Sequence, residues 1–351
     1  MSDSPQSPQA LEAARGQRGL SPTRTLVTEL ALALRRHVLP ALGSHAGRAA
    51  MHAGAGGDVT FAIDQDAEAF LELFLREHAP QVTFYSEDRG LVQPRDIGGR
   101  SASGSSGSRR DDVGGSTGRG DDGLVLVVDP IDGTRPAMAG LESCCVSVAA
   151  ARLDSEPTMG DVQVGCVTEL KSGASFIAER GGGLEPAAKL SENTSLERMF
   201  WTYGFRGRPA RALVEVLAEL IDTSSVGGST FDLGSAAFDM TRVATGQLDA
   251  YIEPGPRLVD DVPTMRAEFE RIGNGSILNN SPYDIAAAAL CLEECGAVVT
   301  DGYGQSLAGR PLLGSSHEFQ ISVVAAANPE LHAGICKSLD AGIERLRAQV
   351  A

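Results

Sequence analysis

Apolar side chains recur at helical spacing over residues 26–39 (Leu26, Leu30, Ala33, Leu34, Val38). The run stops at Pro40, which predicts an amphipathic helix. After a glycine-rich loop, Ala67, Phe70, Leu71, Phe74 and Leu75 repeat at three and four, with Asp64 at the expected N-cap and Pro80 just past the end. Two short β-rich runs follow, 82–85 and 124–128. Each ends in acids, Ser86-Glu87-Asp88 and Asp129-Pro130-Ile131-Asp132, so two strands are expected to deliver carboxylates from their C-terminal ends.

Residues 144–151, 162–168 and 175–179 read as strands of an antiparallel meander, with 199–203 and 248–252 as further strands. Helices are expected over 209–221 and 234–245. Residues 254–282 read as an irregular excursion, after which Asp284 is placed as N-cap of a helix running to Cys295, with Gly296 at C′. Late strands at 298–300 and 321–325 and a helix over 329–347 complete the pattern. No internal repeat is present, so sheets with interleaved helices are the expected architecture. Residues 1–22 read as a disordered tail, 23–203 as an α+β half with a mobile insertion at 94–122, and 204–351 as an α/β half with an insertion at 255–281.

With 351 residues, 42% hydrophobic and 22% charged, the chain can bury a sizeable core. It has no apolar run of bilayer length and no signal-like N-terminus, so no membrane partner is expected. Six cysteines without a CxxC pair fit a reducing cytoplasm. Cys291 and Cys295 stand four apart, a spacing open to metal ligation, but both share an apolar helix face with Ala287, Ala288 and Leu292 and read as small hydrophobes. A net charge of −16 argues against nucleic acid as a partner. An acidic chain can still take an anionic substrate where carboxylates hold divalent cations.

Glu87, Asp129, Asp132 and Asp284 are the candidates for that role. In Asp129-Pro130-Ile131-Asp132-Gly133-Thr134, proline stiffens the turn, two carboxylates converge, and the Ile131 carbonyl is a further oxygen donor. Gly133 permits close backbone approach, and the Gly133 and Thr134 N–H groups face an anion if a helix starts here. The alternative is that Asp-Gly is simply a common turn dipeptide.

Five ordered blocks resemble the inositol monophosphatase superfamily of magnesium-dependent, lithium-sensitive phosphatases. They are Asp58 to Asp64 (Asp-Val-Thr-Phe-Ala-Ile-Asp), Ser86-Glu87-Asp88, Asp129 to Thr134, the stretch from Gly234-Ser235-Ala236-Ala237 to Asp249-Ala250-Tyr251-Ile252-Glu253, and Tyr283-Asp284-Ile285-Ala286-Ala287 with its sequel to Asp301. The resemblance implies a layered α/β/α/β sandwich of the inositol monophosphatase and fructose-1,6-bisphosphatase type, and a homodimer. It implies that Glu87, Asp129, the Ile131 carbonyl, Asp132 and Asp284 hold two or three Mg²⁺ ions. Thr134, oriented by Asp64 and aided by Glu87, would then position the attacking water, without a covalent intermediate. From the residues alone, Asp64 reads first as a simple helix cap, and its pairing with Thr134 comes only from the resemblance.

Gly133, Thr134, Arg135, Gly234, Ala236, Glu253 and Asp284 match positions that line the family's substrate pocket. The chain departs from the pattern at Arg135-Pro136-Ala137-Met138, where a polar stretch with Asn is usual. Arg135 is either a second anion contact or a solvent-facing residue. Tyr283 replaces the usual Trp, and the connection from Glu253 to Asp284 is long. The implied substrate is inositol monophosphate or a related cyclitol or sugar phosphate, with fructose 1,6-bisphosphate, histidinol phosphate and 3′-phosphoadenosine 5′-phosphate as alternatives. A regulatory binding partner is the alternative of another class.

Overall fold

The computed structural model of the chain describes residues 20–44, 46–53, 59–94 and 123–350. Most of the expected tail, Asp58 of the first block and nearly all of the 94–122 insertion lie outside the described residues. Helix α1 (Pro22–Val38) starts one turn earlier than expected, because Ser21 accepts a hydrogen bond from the Arg24 N–H and Pro22 occupies the first turn. A hairpin of β1 (Ala50–Ala53) and β2 (Val59–Phe61) leads into α2 (Ala62–His78). Then come β3 (Thr83–Ser86), β4 (Gly90–Val92), β5 (Leu124–Asp132), the short α3 (Thr134–Ala139), β6 (Cys145–Arg152), β7 (Val162–Glu169), β8 (Ser175–Glu179) and β9 (Gly183–Glu185).

The rest of the chain runs β10 (Phe200–Tyr203), α4 (Ala210–Ser224), β11 (Ser229–Phe231), α5 (Ala236–Ala244), β12 (Ala250–Glu253), α6 (Gly255–Asp261), α7 (Arg266–Ile272), α8 (Pro282–Glu294), β13 (Val298–Thr300), β14 (Val323–Ala326) and α9 (Pro329–Val350). The excursion at 254–282 is therefore helical in part rather than irregular. Its helix α6 is tied down by buried Arg257, which pairs with Asp340 of α9 at 2.7 Å and donates to the Gly302 carbonyl. Neither Asp64 nor Asp284 is an N-cap. Both sit at the third helical position, a shift explained by the capping described below.

Seven strands form one sheet in the order β4-β3-β5-β6-β7-β8-β9, antiparallel except where β3 and β5 run parallel. Five form the other, β11-β10-β12-β14-β13. Period-two alternation divides the core among layers. Leu126 and Val128 pack with α1 and α2 on one face of the first sheet, while Val125 and Val127 face α5 and α8 on the other. Tyr251, Val323 and Ala325 close that middle layer from the second sheet, whose far face, Trp201, Ile252 and Val324, is covered by α4 and α9. The expected α/β/α/β stacking is present, and α4 with α9 completes the outer side.

Helix α8 is buried nearly all round, and small residues set how close it comes to the sheet. Ala149, Gly165 and Ala178 stand directly opposite one another on β6, β7 and β8. They meet Ala286 to Ala289 of the helix. A Cβ on Gly165 would lie 2.6 Å from the Ala287 carbonyl oxygen and 3.0 Å from its Cα. Gly165→Val should accordingly lower stability by about 1–3 kcal/mol through overpacking, read as a fall in the urea midpoint. An unchanged midpoint would mean that α8 does not seat this closely on β7.

Candidate active site

Parallel pairing of β3 with β5 sets the site. Ser86 stands opposite Val128 in the register, so the turn after β3 and the last residues of β5 emerge side by side and Glu87 comes close enough to Asp129 to raise its pKa. In a regular strand, residues three apart point to opposite faces. Here Asp129 opposes Ser147 while Asp132 opposes Cys145, so three steps on β5 match two on β6. That bulge, at Pro130 and Ile131, brings both carboxylates to one side.

Each acid is then fixed through one oxygen. Asp129 Oδ1 accepts from the Ile131 N–H at 3.0 Å. Asp132 Oδ2 accepts from Ser235 Oγ at 2.8 Å and from the Ala237 N–H at 2.6 Å, at the start of α5. Asp284 Oδ2 accepts from the Ser281 N–H at 2.6 Å, and Asp64 Oδ2 from the Phe61 N–H at 2.9 Å. The last two are third-position acids reaching back to the residue that caps their helix, Ser281 for α8 and Phe61 for α2. This arrangement leaves the second oxygen of each for other partners. Asp64 uses its Oδ1 to accept from Thr134 Oγ1 at 2.9 Å; the same hydroxyl lies 3.2 Å from the Ile131 carbonyl oxygen.

Ligand oxygens of Asp129, Asp132 and Asp284 lie within 4.8 Å of one another, the one group of three or more such acidic, His or Cys ligands among the described residues. Cys291 is buried with its thiol against the Gly165 and Phe176 carbonyls, as a small hydrophobe would be. Burial pushes all three carboxyls above the usual carboxylate range, and repulsion from neighbouring acids adds to it at Asp129, which lies well above that range, and at Asp284, which reaches about 7. Asp132 reaches only about 6, because Ser235, the α5 backbone N–H groups and Cys145 donate to it. An all-oxygen set that resists ionising without added positive charge suits a hard divalent cation.

The group opens into a cleft that Glu87, Asp64 and Thr134 also line. Gly133, Arg135, Gly234 and Ala236 all lie on its wall. Gly133 has φ +86°, and a Cβ there would sit 2.7 Å from the Ser143 carbonyl oxygen and 2.8 Å from Ser235 Cβ, so only glycine fits the turn from β5 into α3. Arg135 stacks its guanidinium 5.3 Å from the Phe61 ring centre.

Glu253 is the exception. It is fully buried off the cleft, ion-paired with Arg208 and accepting from the Gly255 N–H at 2.7 Å. Arg208, which also lines the cleft, satisfies a charge that burial would otherwise make prohibitive. Sequence reasoning passed over Ser235, Arg208 and Asp239. Ser235 alone carried a signal, as a serine one residue before a helix. Asp239 lies on the buried face of α5 and accepts from Thr202 Oγ1 at 2.9 Å.

The profile of the Inositol monophosphatase family matches residues 23–344. A relative from Methanothermobacter thermautotrophicus named fructose-1,6-bisphosphatase/inositol-1-monophosphatase is 27% identical over 324 residues, covering 90% of this chain and 95% of its own. A Xylella fastidiosa relative named Nus factor SuhB is 28% identical over 53% of this chain and 58% of its own. Among solved structures, the inositol monophosphatase from Anabaena (Nostoc) sp. PCC 7120 superposes with a TM-score of 0.58 at 21% identity, over 91% of this chain and 95% of that one, a likeness of fold. With the family profile spanning nearly its whole length, the chain belongs to the inositol monophosphatase family.

Proposed function

We propose that this protein is a Mg²⁺-dependent phosphatase that hydrolyses a small phosphate monoester, inositol monophosphate or a related cyclitol or sugar phosphate, by direct attack of water. The observation that carries this reading is the gathering of Asp129, Asp132 and Asp284 oxygens within 4.8 Å at the cleft that also holds the Thr134–Asp64 pair. Glu87, Asp129, the Ile131 carbonyl, Asp132 and Asp284 would hold two or three ions. Mg²⁺ bound there supplies Lewis acidity and offsets the negative charge of the phosphate.

The chain's own residues set the geometry of attack. A hydroxyl has one proton, and that of Thr134 is directed to Asp64 Oδ1 or the Ile131 carbonyl. Its oxygen is left as an acceptor, so a water beside it donates to Thr134 and turns a lone pair toward the cleft. Asp64 cannot swing away, because its other oxygen is held by the Phe61 N–H. No side chain is suited to form a phosphoenzyme through sulfur: Cys145 sits behind Asp132 with its thiol pushed well up by burial. Water then displaces the alcohol in line, giving inorganic phosphate.

The cleft is also lined by polar groups of Asp232, Asp239, Tyr251 and Asn280, which suits a hydroxylated leaving alcohol. Arg206, which also lines the cleft, keeps fructose 1,6-bisphosphate as the alternative. A regulatory role as binding partner is the second reading, favoured by relatives named Nus factor SuhB. A partner retained by an Asp129→Asn variant that no longer binds Mg²⁺ would support it.

Phosphate release from a panel of esters, with and without Mg²⁺, tests the main reading. Asp129→Asn should lower turnover by about 10²-fold or more, and Thr134→Ala by about 10²–10⁴-fold at unchanged Mg²⁺ affinity. Mg²⁺-independent turnover, or activity intact in both variants, would sink it.

A second prediction follows from the raised carboxyls. Each folded pKa lies above its unfolded value, so the stability these groups contribute is fully present below about pH 4 and is lost as pH rises through 6 to 7. Metal-free protein should therefore melt lower at pH 8 than at pH 5. Mg²⁺ at 100 times its dissociation constant should restore about 2.7 kcal/mol at pH 8 and far less at pH 5. Differential scanning fluorimetry with EDTA or Mg²⁺ reads both effects, and a melting temperature indifferent to Mg²⁺ at pH 8 would refute the metal assignment.

A further inference from the structure

Glu87 sits in the two-stranded turn between β3 and β4, where Ser86 pairs with Gly90. Helix α2 holds this turn on both sides of Glu87. Glu68 of α2 is 3% exposed, and its two carboxylate oxygens bracket Glu87. Oε2 accepts from Ser86 Oγ at 2.8 Å and Oε1 accepts from the Asp88 N–H at 3.3 Å, one contact on each side of Glu87. Asp88 is held a second time, accepting from Thr60 Oγ1 at 2.6 Å.

The spacing on α2 extends this contact into a row. Asp64, Glu68 and Glu72 are four apart and share one face of the helix. Asp64 accepts from Thr134, Glu68 holds the turn at Ser86 and Asp88, and Glu72 pairs with Arg89 at 3.6 Å. One rigid helix thus sets the position of the Thr134 hydroxyl and that of the Glu87 turn relative to each other.

A buried glutamate that serves no core-packing purpose needs a reason to be there. Burial pushes its carboxyl up to about 7, opposed by the Ser86 and Asp88 hydrogen bonds. An apolar residue of the same volume would avoid the desolvation penalty altogether.

We propose that Glu68 is a positioning residue that holds the Glu87 turn in register with Asp129, Asp132 and Asp284 for divalent-cation binding. This rests on the metal assignment made above, and its consequence for the turn can be read without that assignment. Supports of this kind around metal ligands are worth about 10–100-fold in affinity or activity.

The test compares the full-length wild type with Glu68→Gln, Glu68→Ala, Glu68→Leu and the control Glu72→Gln. Mg²⁺ affinity is measured by isothermal titration calorimetry, and hydrogen exchange of the 83–92 segment by mass spectrometry without metal. A glutamine amide can still accept from the Asp88 N–H and donate to Ser86 Oγ, so Glu68→Gln should stay within about 3-fold of wild type in both readouts. Glu68→Ala and Glu68→Leu should bind Mg²⁺ about 10-fold more weakly and exchange the turn about 10-fold faster, while Glu72→Gln, which loses only the part-exposed 3.6 Å ion pair with Arg89, should change either readout by less than about 3-fold.

Leucine fills the space that alanine leaves, so a folding defect confined to Glu68→Ala does not obscure the result. Wild-type affinity and exchange in Glu68→Leu would overturn the proposal. So would equal effects in the glutamine and leucine variants, which would assign the role to charge instead of position. Failure of the wild type itself to bind Mg²⁺ would overturn the metal assignment and the cation-binding purpose proposed for Glu68, while the exchange of the turn would still decide whether Glu68 holds it.

Discussion

Like charges do not gather under a protein surface unless something holds them there, and the bringing together of Asp129, Asp132 and Asp284 within 4.8 Å is the constraint around which this chain is arranged. Their repulsion is managed by dividing each carboxylate in two. One oxygen takes a backbone N–H, from Ile131, Ala237 or Ser281, and the other is left for chemistry. Those N–H groups belong to a strand bulge and to the first turns of α5 and α8, where amides lack intrahelical partners and the helix dipole favours negative charge. The acids are therefore kept close by donors the fold has in surplus, and burial, with the repulsion remaining, raises the pKa values of Asp129 and Asp284.

The same constraint reaches into the core. Asp284 comes from α8, and it meets the two β5 acids only if that helix lies close against the first sheet. The row Ala149, Gly165, Ala178 opposite Ala286 to Ala289 achieves this by removing side-chain bulk at the crossing. With backbone nearly touching backbone at Gly165 and Ala287, the helix has little room to slide. Small residues in the middle layer are in this sense part of the site, although none of them lines the cleft.

Much of this was legible in the sequence, for physical reasons that differ from residue to residue. Amphipathic spacing identified α1 and α2, because burial on one face imposes a period, and β-rich runs separated by turn-forming residues identified β6 to β8, of which β6 and β7 are buried on both faces. The strand-end acids were legible because β-rich runs stop abruptly at charged residues. Helix caps were read three positions late at Asp64 and Asp284: an acid three residues into a helix and one at its cap look alike in sequence, and only the backbone donor it reaches tells them apart. The helices at 255–261 and 266–272 were hidden by their Pro, Gly and Asn surroundings, since their stability comes from contacts such as Arg257 with Asp340, far away in the chain. The parallel pairing of β3 and β5, which places Glu87 beside Asp129, left no local signal.

Glu253 shows why a matching letter does not carry its role with it. The residue stands where the family's pattern expects it, at the end of β12, but buried Arg208 has taken its charge. A carboxylate already neutralised by a guanidinium, and bonded to the Gly255 N–H, has little acceptor capacity to offer an incoming hydroxyl. Using Glu253 for recognition would require Arg208 to leave and strand a charge in the core, which costs about 3–5 kcal/mol. The pair instead fixes the start of α6, so that the insertion, Arg208 and the cleft wall form one unit. On the proposed reading, recognition of the leaving alcohol then falls to polar groups that already line the cleft beside the acids, such as Asp232 and Asn280.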